Sequence, residues 1–363
     1  MERVIIDCDV GIDDITVLLM CFKHPEIVKV EAVTIVDGNV DLPAAFQTAK
    51  LVTALAEKPQ SEVPVIAGAN GPLIRGVFQK VCYEGHGQDG LGNFTLRSNE
   101  WETFTKTHFP NYIPEPLATT LQTQIAAVEL VKRVAESPGE ITLLAIGPLT
   151  NVAIGLSLDP NFLRNLKSLV IMGGSTDAKG NTSRVAEFNF VCDPEAAHVV
   201  FQAASVLQPS DVPKVILVPW ETTVDHAFPW TYFDELLERS SGKEEQSKFA
   251  AFLEGYISFT EKQSRNAAEE AKRSIDQKTA AHEHYFAQVM VLLLCDAYAA
   301  ACILDPSSIL EYRDFDAKIE LGGTYSRGLV ALNWHTNEKP NCRVVFKMDI
   351  EKIKRIFEKT FKS

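Results

Sequence analysis

The chain has 363 residues, 46% of them hydrophobic, enough for one large α/β domain or two smaller ones. A formal net charge of −13 argues against the basic face that nucleic acid or an anionic membrane surface requires. Its seven cysteines are odd in number, scattered and without a CxxC pair, so no zinc knuckle or disulfide framework is indicated and a reducing, cytoplasmic setting is expected.

Met1-Glu2-Arg3 leads directly into a short apolar stretch rather than the long apolar core of a secretory signal. No apolar run reaches the roughly 18 residues of a membrane span. Residues 4–6 read as a first strand and 15–22 as a helix. Residues 28–36 read as a strand, 43–56 as a helix and 63–67 as a short strand. A helical pattern over 119–135 stops at Ser137-Pro138-Gly139. Strands at 141–146 and 166–172 flank a helix at 149–156, and 215–218 is another strand. This alternation predicts an open, mostly parallel (mixed) sheet with helices on both faces. From 229 to 288 the strands give way to a polar helical elaboration. An almost uniformly apolar helix is expected over 289–301, and closing strands at 318–320, 329–332 and 343–346. With no linker, low-complexity tract or repeat, residues 1–363 are expected to form one domain.

Four carboxylates, Asp7, Asp9, Asp13 and Asp14, follow the first strand within eight residues. Asp13 and Asp14 alone would suit a helix N-terminus. Asp7 and Asp9 on the incoming loop are not explained that way, and a hard divalent cation accounts for all four. In such sheets, sites form beyond the carboxyl ends of the strands, where this cluster lies. Asp296 is a second anomaly, an acid among apolar neighbours. Asn181, Glu187 and Asn189 offer polar side chains from one loop. Asp193-Pro194-Glu195 reads as a helix start with Asp193 as cap and no chemistry assigned. Gly85-His86-Gly-Gln-Asp89-Gly-Leu-Gly92 is glycine-rich but lacks the Lys-Ser/Thr of a phosphate loop; its bland reading is a mobile turn. Thr150 and Asn151, in the 145–153 turn, read equally well as helix caps. His282-Glu283-His284 does not match a helical zinc motif and reads as a solvated face.

Taken together and in order, these motifs resemble the inosine-uridine nucleoside hydrolase family over nearly the whole chain. The Asp-x-Asp-x-Gly-x-Asp-Asp start is similar to the family's fingerprint, and 145–153, 186–197 and Cys295-Asp296 are similar to three further blocks. The resemblance implies a Rossmann-like nucleoside hydrolase fold and a homodimer or homotetramer. It implies cleavage of a small nucleoside to base and ribose, a step in purine or pyrimidine salvage. It further implies Ca²⁺ held by Asp9, Asp14, the Ile146 carbonyl and Asp296, with Asp9 as general base. Asp13 and Asn39 are implied to contact the ribose and order the water, and Asp7 to support the loop. Asn181, Glu187 and Asn189 would grip ribose hydroxyls, and His86 would stand near base or ribose. Cys295 replaces a His that many members carry, resembling a subgroup of the family, which leaves open the acid that protonates the base. The alternatives are His86, a Tyr or Trp of the helical insert, or a base that leaves unassisted. The rivals are a Mg-dependent phosphatase of the haloacid dehalogenase type, with Asp7 as nucleophile, and a calcium-held ribose-binding protein with little turnover.

Overall fold

The computed structural model describes residues 1–56, 63–76, 84–112, 125–207, 213–238, 246–273, 291–335 and 338–362. Its centre is an eight-stranded sheet ordered β3-β2-β1-β4-β5-β6-β12-β9. The strands are β1 (Glu2–Cys8), β2 (Val28–Ile35), β3 (Val65–Ala67), β4 (Ile141–Ala145), β5 (Ser168–Met172), β6 (Val215–Val218), β9 (Ile309–Phe315) and β12 (Cys342–Met348). All neighbours pair in parallel except β12 with β9. The expected mostly parallel mixed sheet is therefore present.

β1 shows why these strands read as unbroken apolar runs. Val4, Ile6 and Cys8 enter the hydrophobic cluster on one face, with the helices Ile12–Lys23 and Asp296–Leu304. Ile5 enters the other cluster, with the helices Ala126–Glu136, Thr150–Leu158 and Pro194–Ser205. Side chains alternate across the sheet, and both faces are covered. The chain runs from β1 outward to β2 and β3, then returns to β4 on the far side of β1. The β1/β4 boundary is thus the topological switch point, where loops diverge and leave a crevice.

Three expectations need correction. The apolar stretch around 289–301 is not one helix. β8 (Val291–Leu292) pairs antiparallel with β7 (Phe228–Pro229), and the helix begins only at Asp296. A short buried strand and a buried helix are both uniformly apolar, so periodicity cannot separate them. The break places Asp296 in a first helical turn rather than mid-helix. The predicted strands near 318 and 330 are β10 (Ala317–Ile319) and β11 (Val330–Leu332), which form their own antiparallel pair apart from the main sheet. The antiparallel edge β9 was not anticipated. Its middle, Leu310 to Asp314, is exposed and polar except for Leu310 and Tyr312, which hides the period-2 signal.

The β7/β8 ladder brackets the helical elaboration, whose described parts are the helices Trp230–Leu236 and Lys248–Arg273. The beginning of the predicted 119–135 helix and His282-Glu283-His284 lie outside the described residues. Among the described residues, no helix is long and apolar enough to cross a membrane.

Candidate metal and sugar site

Near the end of β1, Asp7 pairs with Thr34 and Ala145, and Cys8 pairs last, with Ile35. The chain then turns sharply. Val10 adopts φ 57°, a left-handed conformation that a β-branched residue holds only under strain of about 1–3 kcal/mol. Gly11 leads into the helix Ile12–Lys23, so Asp13 and Asp14 stand in its first turn. The Asp14 carboxylate accepts the Gly11 amide at 2.7 Å and the Asp9 amide at 3.2 Å. The turn is therefore folded around its own carboxylate.

Asp13, Asp14 and Asp296 bring ligand atoms to within 4.8 Å of one another, all three buried. Asp9 stands beside them, close enough for the Asp14 charge to act on it. It also accepts the Asn39 amide at 2.7 Å and Asn39 Nδ2 at 3.2 Å. Asp13, which the sequence places on the sugar, thus belongs to the tight carboxylate set, while both Asp9 oxygens face Asn39. Gly38 presses its backbone on Asp9: a Cβ there would lie 2.0 Å from Asp9 Oδ2. A Cβ on Gly11 would lie 2.5 Å from His86 Nδ1 and 2.7 Å from Asn39 Nδ2. Only glycine permits either approach.

Burial, first, and then acidic neighbours push Asp9, Asp14 and Asp296 upward. Asp14 is raised to about 7, by burial and then by Asp13. Asp9 and Asp296 are raised well above the ordinary carboxylate range, by burial first and then by their acidic neighbours. Asp13 Oδ1 is buried without a hydrogen-bond partner. An all-oxygen set with an orphaned buried acceptor and unfavourable mutual charge fits a hard divalent cation.

Ile146, Glu187, Asn189 and His86 gather at the same strand ends, whereas Asn181 is exposed and bonds within its own loop. Ile146 follows β4; its amide donates to the Asp7 carbonyl at 2.9 Å and its own carbonyl accepts Asn189 Nδ2 at 3.0 Å. Asn189 Nδ2 also reaches the Met172 carbonyl at 3.2 Å. Glu187 caps the helix Phe188–Cys192, accepting the amides of Asn189 and Phe190, and takes that of Gly174 at 2.7 Å. Burial raises it to about 7. Asn181 is exposed, and its Oδ1 accepts the Phe188 amide at 2.9 Å. His86 Nδ1 accepts the Ile12 amide at 3.1 Å and lies 3.9 Å from Asp13 Oδ1. That bond makes Nε2 the protonated nitrogen of the neutral ring. Burial lowers the His86 pKa, and Asp13 opposes this.

Two modest readings change. The Gly85–Gly92 loop is braced: Asp89 accepts the amides of Leu91, Asn93 and Thr95 and the Thr95 hydroxyl. Thr150 and Asn151 are not caps. Thr150 Oγ1 donates to Asp193 at 2.7 Å. Asn151 Nδ2 donates to Asp7 Oδ1 at 2.8 Å and to the Ile35 carbonyl at 3.1 Å, while its Oδ1 accepts the Ala69 amide. With Thr34 Oγ1 at 2.5 Å, Asn151 encloses Asp7, which has no exposed surface. Both side-chain bonds fall on Asp7 Oδ1, while Asp7 Oδ2 is buried without a hydrogen-bond partner. Asp193 is the helix cap expected, accepting the Ala196 amide at 3.0 Å.

Thr34 and Asn151, which hold Asp7, and Thr223, whose Oγ1 donates to buried Cys295 Sγ at 3.3 Å, were not foreseen as site residues. Their signal is faint: single polar residues within short buried elements, whose partners lie far off in sequence.

The chain is similar to known proteins over most of its length. The sequence model described as inosine-uridine preferring nucleoside hydrolase matches residues 4–355. An inosine-uridine preferring nucleoside hydrolase of Leishmania major is 30% identical over 97% of this chain and 94% of its own. A probable uridine nucleosidase 2 of Oryza sativa subsp. japonica is 41% identical, but over 56% of this chain; the chain spans only about half, 54%, of that relative. A solved inosine-guanosine nucleoside hydrolase superposes with a TM-score of 0.78 at 28% identity, covering 99% of both chains.

Proposed function

This chain belongs to the inosine-uridine preferring nucleoside hydrolase family, and from that premise we propose that it is an enzyme hydrolysing the N-glycosidic bond of ribonucleosides to free base and ribose. The observation that carries the reading is the meeting of Asp13 and Asp14 with Asp296, from the far end of the chain, in one buried oxygen cluster.

Asp9, Asp14, Asp296 and the Ile146 carbonyl would hold Ca²⁺, whose oxygen preference and tolerance of a crowded shell match these donors. When bound, the cation offsets the carboxylate repulsion and makes a nearby water more acidic. Asp9 takes a proton from the attacking water. Asn39 fixes the Asp9 carboxylate by two hydrogen bonds, so its basic oxygen does not rotate away. Asp13 Oδ1, without a protein partner, accepts a ribose hydroxyl. Glu187 and Asn189, immobilised by backbone hydrogen bonds, and Asn181 orient the remaining hydroxyls. His86, 3.9 Å from Asp13 Oδ1, stands near the base or ribose. The acidic lining repels phosphate, so free nucleosides are preferred to nucleotides.

The test is release of free base from inosine and uridine, before and after EDTA treatment, with Ca²⁺ or Mg²⁺ added back. Base release that EDTA abolishes and Ca²⁺ restores better than Mg²⁺ is expected. Hydrolysis of p-nitrophenyl phosphate without base release, or nucleoside binding without turnover, would overturn the reading.

A further inference from the structure

The outer strand β9 is unlike the other strands of the main sheet. It pairs antiparallel with β12 and, among the described residues, with no other strand. Every residue from Leu310 to Asp314 is exposed, so both faces of this stretch are open as well as its outer edge. Large apolar side chains gather there: Leu310 is 57% exposed, Tyr312 48% and Trp334 59%. Trp334 packs edge-on against Phe315 of the strand, ring centroids 4.7 Å apart. An open edge bordered by exposed aromatic rings is a template for another strand.

The charges of β9 say which strand fits. On one face, Arg343 of β12 holds Asp314 by two hydrogen bonds, of 2.8 and 3.1 Å, and lies over the Tyr312 ring at 3.9 Å. That face needs no outside counter-charge. On the other face, Glu311 and Arg313 touch each other at 3.0 Å, yet both remain half-exposed. An antiparallel partner centred on residue 312 sets 311 of each strand opposite 313 of the other, on the same face. A second β9 therefore brings Arg313 to Glu311 and Glu311 to Arg313. Tyr312 meets Tyr312 on the two-fold axis, and Leu310 lies diagonal to the Tyr312 of the other copy. Centring on 311 or 313 instead would set Glu311 against Glu311 or Arg313 against Arg313, and like charges oppose both registers.

We propose that two copies of this chain associate through β9, antiparallel about a two-fold axis at Tyr312, joining their eight-stranded sheets into one. A two-fold contact requires a patch that complements itself, and Glu311-Tyr312-Arg313 is such a patch. Exposed ion pairs contribute little by themselves. Here they select the register, while backbone hydrogen bonds along the edge and burial of Leu310 and Tyr312 supply the affinity. The proposal is independent of the hydrolase reading, because β9 is separated from the carboxylate cluster at β1 and β4 by the strands β5, β6 and β12.

Two measurements on the full chain test this. The first is a sedimentation-velocity dilution series. The wild type is expected to self-associate into a dimer or a larger even assembly. Arg313→Glu and Glu311→Arg each set like charges across the axis, and each is expected to raise the dissociation constant at least tenfold. An equimolar mixture of the two variants restores opposite charges and is expected to regain the wild-type affinity. A monomeric wild type, single variants with unchanged affinity, or a mixture no tighter than its components overturns the proposal. The second is cross-linking with a short bis-maleimide, read against wild type treated alike. Tyr312→Cys places its two thiols at the axis and is expected to give a covalent dimer. Leu310→Cys, offset by four residues or about 13 Å between copies, is expected to give none. Equal cross-linking at both positions, or none at 312, overturns the register and with it the proposal.

Discussion

Asn151 Nδ2 donates to Asp7 Oδ1 at 2.8 Å, joining the helix after β4 to the end of β1 across the topological switch point. The same side chain holds the end of β2 through Ile35 O and the loop after β3 through the Ala69 amide. One amide therefore sets the spacing of three strand ends beneath the carboxylate cluster. Asn151→Ala is expected to destabilise the protein by about 3 kcal/mol, because it leaves buried polar groups without partners. Urea unfolding measures this. Loss of under about 0.5 kcal/mol would mean the network carries no weight.

Gly38→Ala places a methyl group where Asp9 Oδ2 lies, 2.0 Å from the ideal Cβ. Asp9 must swing away from Asn39. A displacement of about 1 Å can cost a hundredfold in rate, so kcat for base release should fall at least that far. Far-UV circular dichroism should remain unchanged. Normal turnover would show that Asp9 does not need its present position.

The acids make opposite demands on stability and function. Asp296→Asn removes one charge from the cluster whose members raise one another. In EDTA-treated protein the change should stabilise by about 1 kcal/mol, roughly 2 °C in the thermal midpoint. Calorimetry should at the same time show Ca²⁺ binding lost. A lower midpoint in the metal-free variant would show that Asp296 is held by attraction, not strain.

Metal-free protein should also lose stability as pH rises. Asp14 stands at about 7 in the folded chain against an ordinary 3.8, Glu187 at about 7 against 4.5, and Asp7 at about 6 against 3.8, in each case chiefly through burial. Between those values the folded state binds more protons than the unfolded state, so stability is fully present below about pH 4 and declines toward pH 7. Thermal midpoints in EDTA, taken across that window, check the slope. Added Ca²⁺ should flatten it, since the cation replaces the protons. A midpoint rising with pH in EDTA would contradict the assigned burial of these acids.

Sequence and structure divide the result along a physical line. Local pattern alone determined β1 as a buried strand, the Asp7-to-Asp14 turn that follows it, the Asp193 cap and the parallel βα rhythm, because each depends on residues near one another in the chain. Asp296 was identifiable as an acid out of place in apolar surroundings. Only the tertiary structure decided what that acid meets, because the apolar run 289–301 reads alike as strand or helix until β7 is there to pair with β8. Likewise the bonds of Asn151 to Asp7 and Thr223 to Cys295, and the close approach of Gly38 to Asp9, join residues brought together only by the strand order. Hydrogen-bond partners and steric contacts at such distances are fixed by packing, and no local propensity encodes them.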